Sequence, residues 1–338
     1  MTRKISHSLI NGRAGAGTAG QGLKVEWDST NDGELHWMDV SESTLEYVAP
    51  FQGSNYGFTA SGYDSSHTTI IDKFAFSSNV TASSHGDLSV ARTSVSGQSS
   101  STDGFTSGGY LVGWSMSNSI DKFAFSSNTT ASDHGDLSVA RIGLAGQSSS
   151  TDGFAAGGEI STDSDTIDKF AFSSNVTATD HGNLSTARRG VAGQSSSTHG
   201  YASGGGASGS TTVDKFAFSS NTTATDWADL TQARKAANGQ SSTDKGFTSG
   251  GEISSTTNYI DYFTFASGGT ATDHGDLSTA RHSTAGQSST TQGFTSGGTA
   301  GGGVMYDIID KFNFSSNTTA SDHGDITTSR AGHSGHQY

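Results

Sequence analysis

Five histidines recur at one place in a repeated stretch: His85 in TASSHGDLSVAR, His134 in TASDHGDLSVAR, His181 in TATDHGNLSTAR, His274 in TATDHGDLSTAR and His323 in TASDHGDITTSR. Four have an Asp two residues on, and the pattern suggests a set of metal or catalytic sites. Each stretch closes on an arginine, Arg92, Arg141, Arg188, Arg281 or Arg330, with a sixth at Arg234. Such a set could hold an anionic substrate. Asp163 and Asp165 form a D-x-D spacing able to touch a cation, and Asn79, Asn128, Asn175, Asn221 and Asn317 open Asn-x-Thr triplets that are glycan acceptors in secreted chains.

The sixth copy argues against metal. It reads TATDWADLTQAR, with Trp227 at the histidine position, and Asn183 replaces one of the aspartates. Trp cannot ligate a metal, and one His-x-Asp pair supplies too few ligands. A position that accepts both His and Trp is a flat ring filling a gap between repeats, its N–H bonded to backbone. Six symmetric arginines fit structure better than catalysis, each bonding a neighbouring carboxylate or turn carbonyl. STDGF only partly resembles the sialidase Asp-box and lacks its Trp, and no nucleophile with an acid/base pair stands outside the repeat register. With no cysteine in the chain a Tyr–Cys copper site is excluded. No catalytic residue, metal or cofactor is expected, and Asn-x-Thr is expected to be a turn motif.

The elements that position these residues must be built from small side chains. Only 31% of the 338 residues are hydrophobic, against roughly 45–50% in an average domain. Glycine supplies 46 positions and proline only Pro50. A net charge of −14 argues against non-specific nucleic-acid binding, which needs Lys and Arg on phosphates. Neither a signal-peptide pattern nor an 18-residue apolar run is found, so a soluble chain made in a cytoplasm, without membrane insertion, is expected.

A ruler runs through the chain. The motif (I/V)-D-x-F-x-F places Asp at 72, 121, 168, 214, 261 and 310, with intervals of 49, 47, 46, 47 and 49. From each Asp to the Arg is 20 residues, and from Arg to the next Gly-Gly is 16. Only the stretch from Gly-Gly to the next Asp varies, at 12, 10, 9, 10 and 12 residues. Aromatic and β-branched residues at period two, separated by turn compositions, predict four short strands a to d per unit: a after the Arg, b at GFTSGG, c at IDKFAF, and d around TASSHGDLS. Six such units predict an all-β, six-bladed β-propeller.

These residues resemble the Kelch-repeat family, in the Arg, the Gly-Gly, Phe76 and its equivalents, and Leu88 and its equivalents, over about residues 53 to 338. The Kelch Trp is replaced by Ala82 and its counterparts. The resemblance implies a Kelch-like propeller with its b–c loops gathered on one face. The C-terminal AGHSGHQY has the register of strand a and is expected to pair beside the N-terminal strand b, completing the sixth blade from both ends of the chain. LEYVAPFQ (45 to 52) also aligns there, but Pro50 would remove a ladder donor from an inner strand.

Residues 1–52 lie outside the repeat. Leu23, Val25 and Trp27, then Leu35 and Trp37 beyond Asn31-Asp32-Gly33, predict a β-hairpin arm whose Trp27 and Trp37 pack on a partner. This segment is similar to hairpin modules of bacteriophage tail-fibre and collar proteins, and the repeats are similar to Kelch-like repeats of marine phage virion proteins. Residues 53–338 form the propeller. The varying b–c loops carry Tyr63, Tyr110, Trp114, Glu159, Asp163, Asp165, Glu252, Tyr259, Met305 and Tyr306, residue types that sugar-binding surfaces use; mere tolerance of change is the competing reading. The resemblance and the loops together imply a virion structural protein assembled in the host cytoplasm. Its arm joins other virion proteins within a larger assembly, and its loops face a host glycan or protein. A polysaccharide-acting propeller enzyme and a cellular Kelch-type adaptor are the alternatives.

Overall fold

The computed structural model describes residues 52–338 throughout and, before them, two strands, Gln21–Val25 and Leu35–Asp39. The chain divides into two units, Met1–Tyr47 and Val48–Tyr338. In the first, the two strands pair antiparallel with Leu23 opposite Trp37 and Val25 opposite Leu35, as the hairpin pattern predicts. Trp27 and the Asn31-Asp32-Gly33 turn lie outside the described residues.

The second unit is a six-bladed β-propeller with no α-helix among its described residues. Each blade is an antiparallel sheet in the order a-b-c-d. Blade 2 is typical, with a at Ser96–Ser99, b at Asp103–Ser107, c at Ser119–Ala124 and d at Ser132–Asp136. Blades 3 to 6 follow at 145–183, 192–234, 238–276 and 285–325. Blade 1 takes b at Tyr56–Ala60, c at Thr68–Ala75 and d at Ser83–Thr93 from the start of the unit. Its strand a, Ser334–Gln337, comes from the end. That strand pairs Ser334 with Ala60 and Gln337 with Gly57, so the ring is closed by the C-terminal strand.

The apolar core is not on the axis. It is divided into six clusters, each spanning two neighbouring blades, such as Phe58, Ile71 and Leu88 of blade 1 with Phe123, Phe125 and Ala131 of blade 2. The second Phe of each F-x-F lies on the strand-b aromatic of the preceding blade: Phe125 on Phe58 and Phe172 on Phe105 at 4.7 Å, Phe76 on Phe294 at 4.6 Å. Such stacked pairs add about 0.5–1.5 kcal/mol to their area burial. The short strands therefore gain their stability from neighbours.

On the axis, glycine replaces the core. Gly97, Gly146, Gly193, Gly239, Gly286 and Gly335 stand at one position of strand a, and a Cβ on any of them would collide with the carbonyl oxygen of the preceding blade's glycine. Just above them, Ser94, Gly143, Gly190, Ala236, Ser283 and Gly332 form a closed circle of backbone hydrogen bonds, each N–H donating to the previous blade's carbonyl at 2.7–3.0 Å. All six have φ between 52° and 67°. For Ser94, Ala236 and Ser283 that conformation costs about 1–2 kcal/mol, and the ring holds them in it.

The invariant Asp and Arg join the blades. Arg92 pairs with Asp121 at 2.9 Å, Arg141 with Asp168 at 2.9 Å, Arg188 with Asp214 at 2.9 Å, Arg234 with Asp261 at 2.8 Å, Arg281 with Asp310 at 3.0 Å and Arg330 with Asp72 at 2.8 Å. Each Arg lies at the end of strand d or five residues beyond it, each Asp on strand c of the next blade, and all twelve side chains are buried. The same Asp accepts the backbone N–H of Ser89, Ser138, Ser185, Thr231, Ser278 or Thr327, on the preceding strand d or two residues past it. Burial lowers the pKa of Arg92, Arg141 and Arg281, and the facing carboxylate opposes that shift.

Two stability predictions follow from these contacts. Asp168→Ala leaves the Arg141 charge buried and alone, and should lower the unfolding free energy by about 3–5 kcal/mol. The Arg141→Met/Asp168→Leu double variant should lose less than the single one in denaturant titration. The closing strand also carries acid sensitivity. His336 is fully buried, against the Gln98 carbonyl, the hydroxyls of Thr106 and Ser334 and the Phe123 ring, and burial pushes its pKa down to about 4. His333, near the Arg330 and Arg281 guanidiniums and the Ser296 carbonyl, is pushed well below the ordinary value by burial and then by Arg330. Both pKa values lie below that of unfolded His, so their stabilisation is complete above pH about 6.5 and is lost as pH falls toward 4. For His336 the loss is on the order of 3 kcal/mol. His336→Gln restores the residue of the other blades and should flatten that part of the thermal midpoint's fall between pH 7 and 4.5.

Candidate binding rim

Strand a has two ends, and they differ. At its first end the six d-to-a crossovers surround a mouth of about 340 Å³, lined by residues such as Ser94, Leu144, Val191, Ala236 and His333. Past the glycine ring lies a polar chamber of about 50 Å³ among the Gln and Ser residues of strand a. Gln98, Gln147, Gln194, Gln240 and Gln287 each donate to the strand-b carbonyl of the following blade, at Phe154, Tyr201, Phe247, Phe294 and Phe58. The narrow end is capped by Gln52, whose amide donates to the carbonyls of Ser241 and Ser289 at 3.1 Å.

The b–c loops lie on the wide-mouth side. The residue after each Gly-Gly pairs with the residue after the preceding unit's Arg: Tyr110 with Thr93, Glu159 with Ile142, Glu252 with Lys235, Thr299 with His282 and Tyr63 with Ala331. The loop lengths drift, but their roots are sewn to the crossovers.

The ten loop residues do not form one patch. Tyr63, Tyr110 and Trp114 meet at the boundary of blades 1 and 2, with Trp114 6.0 Å from Tyr63 and 5.4 Å from Tyr110. His67 joins them, 4.9 Å from Trp114. Trp114 is 60% exposed. Glu159 and Asp163 are held together by Arg189, at 2.7 and 3.6 Å. That pairing occupies Asp163, so the D-x-D spacing does not leave both carboxylates free; the Asp165 carbonyl accepts the Leu184 N–H. Glu252 lies half-buried beside Lys235, and Tyr259 sits at the start of strand c opposite Asp276. Met305 closes the blade 6 loop on Thr299, and the Tyr306 N–H donates to the Gly298 carbonyl. Between these groups the blade 4 loop, Gly206-Ala207-Ser208-Gly209, carries no aromatic or acid. Arg189, Lys235 and His282 were not singled out by sequence. The signal was present, since the position after the invariant Arg is the first that varies.

The histidine row is packing. Each Nε2 meets the carbonyl between the two Phe residues of the next blade: His85 with Ala124, His134 with Ala171, His181 with Ala217, His274 with Asn313 and His323 with Ala75, at 2.7–3.0 Å. Trp227 reproduces the bond, its Nε1–H donating to the Thr264 carbonyl at 3.2 Å. Two further changes accommodate its size. Ala228 stands where the other copies have glycine, and the facing turn of blade 5 carries Gly268-Gly269 in place of Asn and its neighbour. Gly269–Thr270 pairs parallel with Ala228–Asp229, and Lys215 lies 3.5 Å over the indole. In the other five copies the Asn side chain bonds the preceding blade's backbone, as Asn175 does to Asp133 and Asn221 to Asp180. Asn-x-Thr is thus the c–d turn's clasp. The arginines are likewise committed, to the buried carboxylates.

No family model matches this sequence, and no curated protein matches it.

Zinc should leave the thermal midpoint unchanged, because the Nε2 of every histidine in the row is already bonded to a backbone carbonyl. His181→Ala removes the ring packed 5.0 Å from Phe154 and orphans the Ala217 carbonyl. It should cost about 2–4 kcal/mol in denaturant titration.

Proposed function

We propose that the chain is a bacteriophage virion structural protein, a Kelch-like propeller that offers its b–c loops to a host-surface glycan while residues 1–52 join it to other virion proteins. The observation that carries this reading is polarity. The chain enters the propeller at Gln52, on the narrow end of the channel, and the variable loops stand at the opposite end. A module so built can be tethered from one side and present the other. Rigid blades fix the loop roots, so loop sequence can change without disturbing the ring. The resemblance of the repeats and the hairpin to phage virion proteins supports the setting, and the aromatic and acidic loops support recognition of sugar.

Deleting residues 1–45 keeps Gln52 and every blade. It should leave the propeller's thermal midpoint within a few degrees while abolishing incorporation into purified particles, read by virion mass spectrometry. Retained incorporation would refute the arm's role, and absence of the full chain from particles would refute the virion assignment.

A further inference from the structure

We propose that the aromatic cluster where the b–c loops of blades 1 and 2 meet binds the apolar face of a neutral pyranose sugar. This rests on the glycan-facing role argued above and names its site and ligand class. Trp114 is the most exposed aromatic ring of the described residues at 60%, with Val112 beside it at 70%. The backbone presents it deliberately. Trp114 has φ 64°, a left-handed conformation costly for a bulky side chain, and its N–H donates to the Leu111 carbonyl at 2.9 Å. Leu111 and Tyr110 in turn pair with Arg92 and Thr93 on strand d of blade 1, so a loop of one blade is stitched to its neighbour. The backbone that carries the indole is therefore fixed before any ligand arrives.

Polar groups surround this flat ring. Among the described residues the hydroxyls of Tyr63 and Tyr110 have no hydrogen-bond partner, nor does the Nε2 of His67, whose ring lies 4.9 Å from Trp114. One aromatic face with a few fixed donors and acceptors matches a pyranose, whose axial C–H face stacks while its hydroxyls bond at the edge. Charge decides the class. The two loops, 61–67 and 110–118, contain one ionisable acid, Asp64, and no Lys or Arg, so nothing there holds a carboxylate or sulfate. Glu159 and Asp163 belong to a separate group gathered around Arg189.

The test is an array of neutral and acidic oligosaccharides, probed with the full chain and with its Trp114→Gly and Tyr110→Phe variants. Glycine adopts φ 64° without strain, so Trp114→Gly keeps the fold and should not lower the thermal midpoint. The full chain should bind neutral sugars, and Trp114→Gly should weaken that binding about thirtyfold, with a smaller loss for Tyr110→Phe. Equal binding by all three proteins would overturn the site and leave the glycan-facing role standing. Binding to acidic sugars alone would overturn the ligand class. No binding by the full chain would overturn both.

Discussion

A buried arginine on one blade facing a buried aspartate on the next is the contact on which the ring depends. Two charges removed from water lose several kcal/mol of solvation each, and their attraction offsets this only with good geometry and further hydrogen bonds. Here those bonds come from the preceding strand d, whose Ser or Thr N–H reaches the same carboxylate, and from strand-b carbonyls such as Thr248 on Arg234 and Thr295 on Arg281. These bonds form only when two blades are in register. Arg330 and Asp72 repeat the contact between the last blade and the first, so the same chemistry that aligns neighbours also closes the circle.

That constraint explains the composition. Six blades converge on an axis where glycine backbones touch, and a ring of hydrogen bonds above them forces six residues into left-handed geometry. Large apolar residues have no place there and are used instead between blades, in Phe stacks edged by the histidines. A chain with 31% hydrophobic residues folds because its buried Phe, Ile and Leu side chains are concentrated in these interfaces. Ala82 and its equivalents are buried, and their N–H groups donate to a carbonyl of the preceding blade, Asp325 for Ala82 and Asp87 for Ala131.

Much of this was legible in sequence. The ruler specified six units of four strands, the C-terminal closure and the packing role of the histidines, and Trp227 revealed the last of these. The partner of each arginine was not legible. The constant 20-residue spacing runs from an arginine back to the Asp of its own unit. The actual partner lies 26 to 29 residues ahead, beyond the one segment of variable length. Nor could the loop residues be grouped, because which loops touch depends on the stitch from Tyr110 and Leu111 to blade 1. The linked replacement of His-Gly by Trp-Ala and of the facing turn by Gly-Gly is visible in sequence only once two blades are known to meet there.

The invariant positions build the ring, and recognition, we propose, is confined to what the ruler leaves free. A saturation scan of residues 52–338, scored for protease-resistant folded protein and separately for ligand or particle binding, tests it most directly. The account predicts loss of folded protein at the Asp, Arg and axial Gly positions. It predicts intact folding at 64–66, 112–115, 160–162 and 300–304, with binding losses concentrated in the loops. Folded variants at the six Arg or Asp positions that lose only binding would contradict it.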